Sequence, residues 1–557
     1  MQLIYPPISG TDGPGRGSPD RLFVPHGLLT IAARLRDRGI DASVLNLAAM
    51  TCAQAAETVR RRPADLIGLS CYTFQRHIAA SLGAAIRSVF PKVHLTIGGP
   101  HVSAMPRQWL EHYVAFDSVV IGEGEATVEE LVEALRQGRP YTGIAGTAYR
   151  EAGVPTLGPA RERIRELDRI GKPWRYFDYE YVITSRGCPG QCTFCSSPTY
   201  WGSRIRFRPV EDVLEELEEL VLRRGHRFLC VKDDTFTANR GRAIAICQEI
   251  ASRGLEFRWA CDTRVDCLNA ELLAAMRRAG CMKVSLGIES AAPAVLAGLR
   301  KTLDPDKAAM VTAEARELGL DVRFYLMVGC RGETAAGLRT TGELVIRARP
   351  THLFVTALNV YPGTEEFANA EERGEFTIKQ FFDDTGEFYV RNIVESAARL
   401  GIDASLYPTL ETELAYAPYT LAEREAIFGR HGDMRACALE LADAYLACWR
   451  LADAQRVLED TQRRVGRASP LLRHYLACVR FAGKDTAGAQ SDFLEARKAW
   501  PADTLLARNL RTIAGVAIRD EGHHRALSLE LFNNLRDPVF IVLHDGQREP
   551  TSPLPAP

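Results

Sequence analysis

Twice along this chain, short and almost wholly apolar runs alternate with amphipathic stretches of helical period. That alternation limits the fold more than any other feature. Residues 1–140 read QLIY, then LLTIAARLRDRG, then DASVLNL, and continue through ADLIGLSCYT, KVHLTIGGP and FDSVVIGEGE with helical segments between them. Strands that are apolar on both faces and joined by helices need cover on both sides, which an open, doubly wound α/β parallel sheet supplies. From Tyr181 a second series begins: YVITSRG, RFLCVKD, FRWACDTRVD, MKVSLGIES, VRFYLMVG and HLFVTALNV. Six βα units fall short of the roughly 250 residues of a closed eight-fold barrel, so a partial (β/α)6 barrel is expected.

Beyond about residue 385 the strand pattern fades. An Ala/Leu-rich helical region follows, in which YLACWRLADAQRVLED partly recurs as YLACVRFAGKDTAGAQSDFLEA, offset by 30 residues at YLAC and 35 at the AQ pair. A helix-hairpin repeat near the tetratricopeptide period is expected there. The 557 residues therefore divide into a first α/β unit (1–140), a linker (141–178), the partial barrel (179–385), a C-terminal helical domain (386–545) and a Pro-rich disordered tail (546–557). A formal net charge of −1 points to no polyanion, so nucleic acid is not an expected partner. The start lacks the basic region of a signal peptide and no stretch is apolar enough to span a bilayer. A cytoplasmic protein with no membrane contact is expected, its 14 cysteines reduced.

The chemistry-bearing stretch is RGCPGQCTFCSS, where Cys188, Cys192 and Cys195 fall within eight residues, directly after the first strand of the second series. A disulfide leaves one thiol over and conflicts with a reducing compartment. Zinc wants four tetrahedral ligands, and no second CxxC or HxxxH supplies the fourth. An iron–sulfur cubane gives the spacing a use: three thiolates leave one iron open to a ligand. Gly187, Pro189 and Gly190 let the backbone turn tightly around it.

Cys188-x3-Cys192-x2-Cys195, with Phe194 before the last cysteine, resembles the signature of the radical S-adenosylmethionine enzymes. The resemblance implies a [4Fe–4S] cluster whose open iron chelates S-adenosylmethionine and splits it to a 5′-deoxyadenosyl radical. Later strand ends resemble the pocket stretches of the cobalamin-dependent branch. They carry Asp233 and Asp234 (CVKDDTFTAN), Arg264 (WACDTRVD), and Glu289 and Ser290 (SLGIES). By resemblance these residues and Phe194 are candidate S-adenosylmethionine contacts, while helix N-capping is the alternative for the acids. LMVGCRGET departs from the family's Gly-Leu-Pro-Gly-Glu-Thr pattern at Cys330 and Arg331, and Cys330 is expected to be a buried, inert thiol.

The first unit resembles the cobalamin-binding domain of the same branch through VPHGLLTIAARLRDRGI, DLIGLSCYT, TIGGPHVSAMP and VIGEGE. The loops at Ser70, Tyr72 and Thr73, at Gly98–Gly99–Pro100, and at Gly122–Glu123–Gly124 are the implied cobalamin contacts. The Asp-x-His-x-x-Gly motif that ligates cobalt is missing; His26 is followed at once by Gly27. Cobalamin is therefore expected base-off, without histidine on cobalt, its lower face against residues 72–76. His77, His94 and His101 are expected in packing or surface roles. The resemblance implies a radical methyltransferase: cobalamin supplies methyl to an unactivated carbon of a small, natural-product-like substrate. Rearrangement, cyclisation or polar methylation by the same cofactors are alternatives, and a non-catalytic scaffold is a remote one. An external one-electron reductant of flavodoxin or ferredoxin type is an implied partner, and a protein partner at the C-terminal helices a further one. Specificity is expected to come from residues past the sixth barrel strand and from the C-terminal domain.

Overall fold

The computed structural model describes residues 1–8, 25–383, 417–465, 469–515, 518 and 520–533. The Gly/Pro-rich loop past Ile8, the aromatic stretch past residue 383 and the Pro-rich tail lie outside the described residues.

The first sheet contains β1 (Gln2–Tyr5), β2 (Ser43–Asn46), β3 (Leu66–Ser70), β4 (His94–Gly98), β5 (Ser118–Val120), β6 (Thr147–Glu151) and β7 (Val154–Leu157), in the order β2-β1-β3-β4-β5-β6-β7. β1 to β5 run parallel. The chain leaves β1 for β2 on one side and returns to β3 on the other. That reversal opens a crevice beyond the strand ends, where ligands bind in such sheets. Strand residues divide between two cores: Ile4, Ile67 and Leu95 pack on one face, Leu3, Leu66 and Val120 on the other. Residues 141–178, expected as a linker, hold β6 and β7. These antiparallel strands extend the sheet past β5, and Thr147, Ala148 and Tyr149 are buried there, a short run that the surrounding polar sequence hides.

The second sheet has six parallel strands in the order β15-β14-β13-β12-β11-β8. They are β8 (Tyr181–Val182), β11 (Phe228–Val231), β12 (Arg258–Thr263), β13 (Cys281–Glu289), β14 (Asp321–Val328) and β15 (His352–Ala357). β8 and β15 are the two ends of the row, so the expected partial barrel is open. YVITSRG is not one strand. It breaks after β8, and β9 (Ser185–Arg186) pairs antiparallel with β10 (Arg206–Phe207), which turns the chain into the cysteine loop.

Seven helices between Leu421 and Asn533 follow, and helix starts at Arg435, Pro470 and Thr504 recur every 34–35 residues. They pack on the beginnings of the barrel strands through buried ion pairs. Arg258, which opens β12, meets Asp443 at 2.7 Å, and Arg277, just before β13, meets Glu440 at 2.6 Å. Arg227 meets Asp503, and Arg424 meets Asp321 at 3.2 Å. The described C-terminal helices thus cover the barrel floor, opposite the end that carries the cysteine loop. After β15 the chain packs Phe367, Phe376 and Phe382 into a core of the first sheet. Among the described residues no helix is long and apolar enough to cross a membrane.

Candidate active site

The cysteine loop stands where β9 ends. Asp233, after β11, fixes its base: Oδ1 accepts from the Thr184 N–H, and Oδ2 accepts from the Thr184 and Ser185 hydroxyls, each at 2.6 Å. Gly190 sits inside the loop. A Cβ there would lie 3.4 Å from Cys188 Sγ, 3.8 Å from Cys192 Sγ and 3.1 Å from an Arg264 guanidinium nitrogen. The two sulfurs and Arg264 therefore face one small space that any side chain would fill. Among the described residues no three His, Cys, Asp or Glu side chains converge as they would on a single metal ion. Three thiols on one short loop, with a space kept clear by Gly190 beside two of them, would suit a cubane that leaves one iron without a protein ligand. Burial pushes Cys195 up to about 11 and raises Cys192; at Cys192 the nearby Lys301 and Arg264 charges work the other way. Ligation must overcome that preference for the neutral thiol.

Around the loop stand the charged candidates. Asp234 accepts from Ser197 Oγ at 2.6 Å and lines a cavity between the two sheets. Arg264 forks onto Asp266 at 2.9 and 2.8 Å. Glu289 closes β13 at a register shift, with φ of 63°, a conformation that non-glycine residues adopt mainly where structure over-determines them. Its Oε1 lies 3.3 Å from Lys301 Nζ, and burial raises its carboxyl above the ordinary range.

Three sequence-read candidates make hydrogen bonds within the protein. Asp233 has both oxygens occupied by the loop base. Ser290 Oγ accepts from the Ala292 N–H and meets Thr341 Oγ1 at 3.2 Å. Thr73 is buried, its hydroxyl 3.3 Å from His101 Nδ1. Phe194 packs beside Val295, Leu299 and Leu358, in the same cluster as the wholly buried Cys330.

Between the carboxyl ends of the first sheet and the cysteine loop lies a cavity of about 540 Å³. Ser70, Gly98, Gly99, Gly122 and Gly124 line it from the strand ends, and Cys195 and Asp234 from the barrel. Small residues leave the backbone open to a bulky ligand. At Gly99, φ is 106°, and a Cβ would lie 2.7 Å from the Cys71 carbonyl oxygen. Tyr72 stacks on Phe74 at 5.7 Å and meets Tyr5 edge-on, an aromatic wall along one side. A second cavity of about 460 Å³ shares Pro100, Gly122, Glu123 and Tyr200 with the first.

The two units are joined by a buried charge network that the sequence reading missed. Arg186, two residues before Cys188, donates to Glu123 at 2.8 Å and Glu125 at 2.5 Å. Arg206 meets Glu123 at 2.7 Å, Thr30 donates to Glu125 at 3.1 Å, and Tyr200 donates to the Gly122 carbonyl at 2.9 Å. A charged residue inside an otherwise buried strand, SRG, was the available signal. Glu123 lines the cavity, yet its carboxylate is held by these two guanidinium groups.

Two family models match the chain: the B12 binding domain over residues 18–132 and the Radical SAM superfamily over residues 182–345. A protein of Pyrococcus horikoshii named "Uncharacterized methyltransferase PH0819" is 32% identical over 382 residues, covering 65% of this chain and 81% of the relative. The anaerobic magnesium-protoporphyrin IX monomethyl ester cyclase of Rubrivivax gelatinosus is 32% identical over 311 residues, 52% of this chain and only 56% of the cyclase. Among solved structures, the methyltransferase TsrM of Kitasatospora setae, with tryptophan and an S-adenosylmethionine analogue bound, shares the fold. Its TM-score is 0.56 and its identity 20%, over 67% of this chain and 76% of TsrM. With three thiols on the loop that opens a partial barrel and a glycine-edged crevice above them, the chain belongs to the radical SAM superfamily, in the branch that carries a B12 binding domain ahead of the barrel.

Proposed function

We propose that this protein is a cobalamin-dependent radical S-adenosylmethionine methyltransferase acting on a carbon of a small molecule. The single observation that carries the reading is the placement of the crevice: Cys195 and Asp234 line the same cavity as Gly98, Gly99 and Gly122, so the reacting groups of both units open onto one space. When bound, the cluster and S-adenosylmethionine supply a carbon radical and the corrinoid supplies a methyl group.

The protein's part is placement and shielding. Cys188, Cys192 and Cys195 hold the cluster. Asp234, Arg264 and the Glu289–Lys301 pair surround that loop with charges of both signs, as an amino-acid carboxylate, ammonium and ribose hydroxyls require. Asp233 and Arg186 fasten the loop from below and beside. The strand-end glycines would admit a corrinoid, and Tyr72 and Phe74 would offer it an aromatic surface. His26 borders the cavity, and its Nε2 is buried without a hydrogen-bond partner. An external one-electron donor of flavodoxin or ferredoxin type completes the set.

The test is product analysis. Anaerobically reconstituted protein supplied with S-adenosylmethionine, methylcobalamin and a reductant is expected to release 5′-deoxyadenosine. The Cys188→Ala/Cys192→Ala/Cys195→Ala variant is expected to lose cluster absorbance and that release together. Turnover retained in the triple variant removes the reading. A product that is a closed ring with no added methyl favours the cyclase chemistry for which the Rubrivivax relative is named.

A further inference from the structure

The thiols of the cysteine loop do not sit in equal surroundings. Cys195 accepts from the backbone N–H of Ser197. Cys188 accepts from the Gly190 N–H at 3.4 Å and also meets a side-chain hydroxyl, Thr235 Oγ1, at 3.5 Å. Thr235 is not on the loop. It follows β11, two residues beyond Asp233, and is buried.

Its backbone is held from both sides. Asp233 is tied to Thr184 and Ser185. The Ala238 N–H donates to the Thr235 carbonyl at 3.2 Å, and Phe236 is buried edge-on against Trp259 at 5.5 Å. What can still turn is the hydroxyl. It has one proton to give and two acceptors in reach: the Asp234 carbonyl at 2.7 Å and the Cys188 sulfur at 3.5 Å. Beside a neutral thiol both contacts can be met, because the hydroxyl donates to the carbonyl and accepts from the S–H. A ligating thiolate has no proton, so the hydroxyl then serves one acceptor or the other. Negative charge on the sulfur favours the sulfur, since a charged acceptor makes the stronger bond, and burial enlarges the difference.

We propose that the Thr235 hydroxyl donates to the Cys188 sulfur when the loop carries its cluster, and thereby raises the potential at which the cluster accepts an electron. Thr235 acts through Cys188 and is a positioning residue. The step is a one-electron reduction by the external donor; the hydroxyl turns toward the sulfur and keeps its proton, so no proton is transferred. Hydrogen bonds to cluster sulfurs are one of the protein's levers on potential, and the added negative charge strengthens this one. The inference rests on the cluster part of the reading above and not on methyl transfer.

The test is a redox titration of the full chain, reconstituted with iron and sulfide without oxygen and poised with dithionite through mediators. The readout is the electron paramagnetic resonance signal of the reduced cluster. At the potential where the unsubstituted cluster is half reduced, Thr235→Val is expected to shift the ratio about 3-fold or more toward the oxidised form, part of the roughly 10-fold that a whole charge-assisted hydrogen bond is worth. Thr235→Ser keeps the hydroxyl and is expected to titrate with the unsubstituted protein. So is Thr237→Val, which removes a buried hydroxyl that pairs with Thr263. After transfer to deuterated water, electron–nuclear double resonance is expected to show one exchangeable proton coupling fewer in Thr235→Val and none fewer in Thr237→Val. An unshifted Thr235→Val, or a shift as large in Thr235→Ser or Thr237→Val, overturns the proposal. Loss of the cluster from both Thr235→Val and Thr235→Ala also overturns it, since the hydroxyl would then serve assembly rather than potential. An unsubstituted protein without the reduced-cluster signal removes the cluster reading and this inference with it; one that shows the signal while all variants titrate alike removes this inference alone.

Discussion

Replacing Arg186 by Met tests whether the charge network joins the two α/β units. The guanidinium lies 2.8 Å from Glu123 and 2.5 Å from Glu125, and all three side chains are no more than 4% exposed. With Arg206 on Glu123, two cations face two carboxylates. Arg186→Met leaves one buried negative charge unmatched, with Glu125 keeping its neutral hydrogen bonds, from Thr30 and from backbone. Breaking one side of such a pair costs about 3–5 kcal/mol, whereas replacing both sides by apolar groups is often close to neutral. At about 2–4 °C per kcal/mol for a unit of this size, the Arg186→Met melting point is expected to fall by roughly 6–20 °C. Glu125→Leu alone is expected to fall comparably, and Arg186→Met/Glu125→Leu by less than the sum of the two. Scanning calorimetry of the anaerobic apoprotein reads this, with the transitions fitted separately because a chain of several domains is not two-state. An Arg186→Met protein that melts within about 2 °C of the unsubstituted one, or a double variant whose loss equals the sum, refutes the joint.

Gly190→Ala is expected to fold normally but to take up less than half the iron of the unsubstituted protein, since the added methyl would occupy the space between Cys188, Cys192 and Arg264; full iron content would refute the cradle. Arg277→Ala leaves Glu440 with Arg424 alone; a loss of about 3 kcal/mol or more is expected, seen as faster proteolytic release of the C-terminal helices with cluster content retained. His26 is held down to about 3 by burial, then by Arg186 and Arg208. Its folded value lies below the unfolded one, so its contribution is complete above pH 6.5 and declines as pH falls toward the folded value, by about 1.4 kcal/mol per pH unit. Melting temperatures between pH 7.5 and 4.5 are expected to slope less in His26→Phe, and an unchanged slope would assign the acid sensitivity elsewhere.

The two sheets, the open barrel and the position of the cysteine loop were legible because strand and helix periods are written locally. QLIY and LIGLS have no other way to bury both faces. The thiols were legible because three at that spacing have few uses. What escaped was long-range. Asp233 and Asp234 look alike in sequence, and only the break between β8 and β9 decides that one is tied to Thr184 and Ser185 while its neighbour lines the cavity. The partners of Ser290 and Thr73, Thr341 and His101, are hidden in the sequence for the same reason. Arg186 was overlooked because its partners lie some sixty residues upstream. The hairpin β6–β7 was hidden by its short strands and polar turn. The side of the barrel that the C-terminal helices would take is set by arginine and carboxylate pairs that no local pattern announces.

Because those helices plug the strand-start end with paired charges, the described residues leave no route into the barrel from that end. A ligand of the cysteine loop has to approach from the mouth that faces the first sheet or from the open side of the strand row. The plug itself is freed from chemical duty: its outer surface can change through evolution, or acquire a binding role, without disturbing a reactive intermediate on the far side of the sheet.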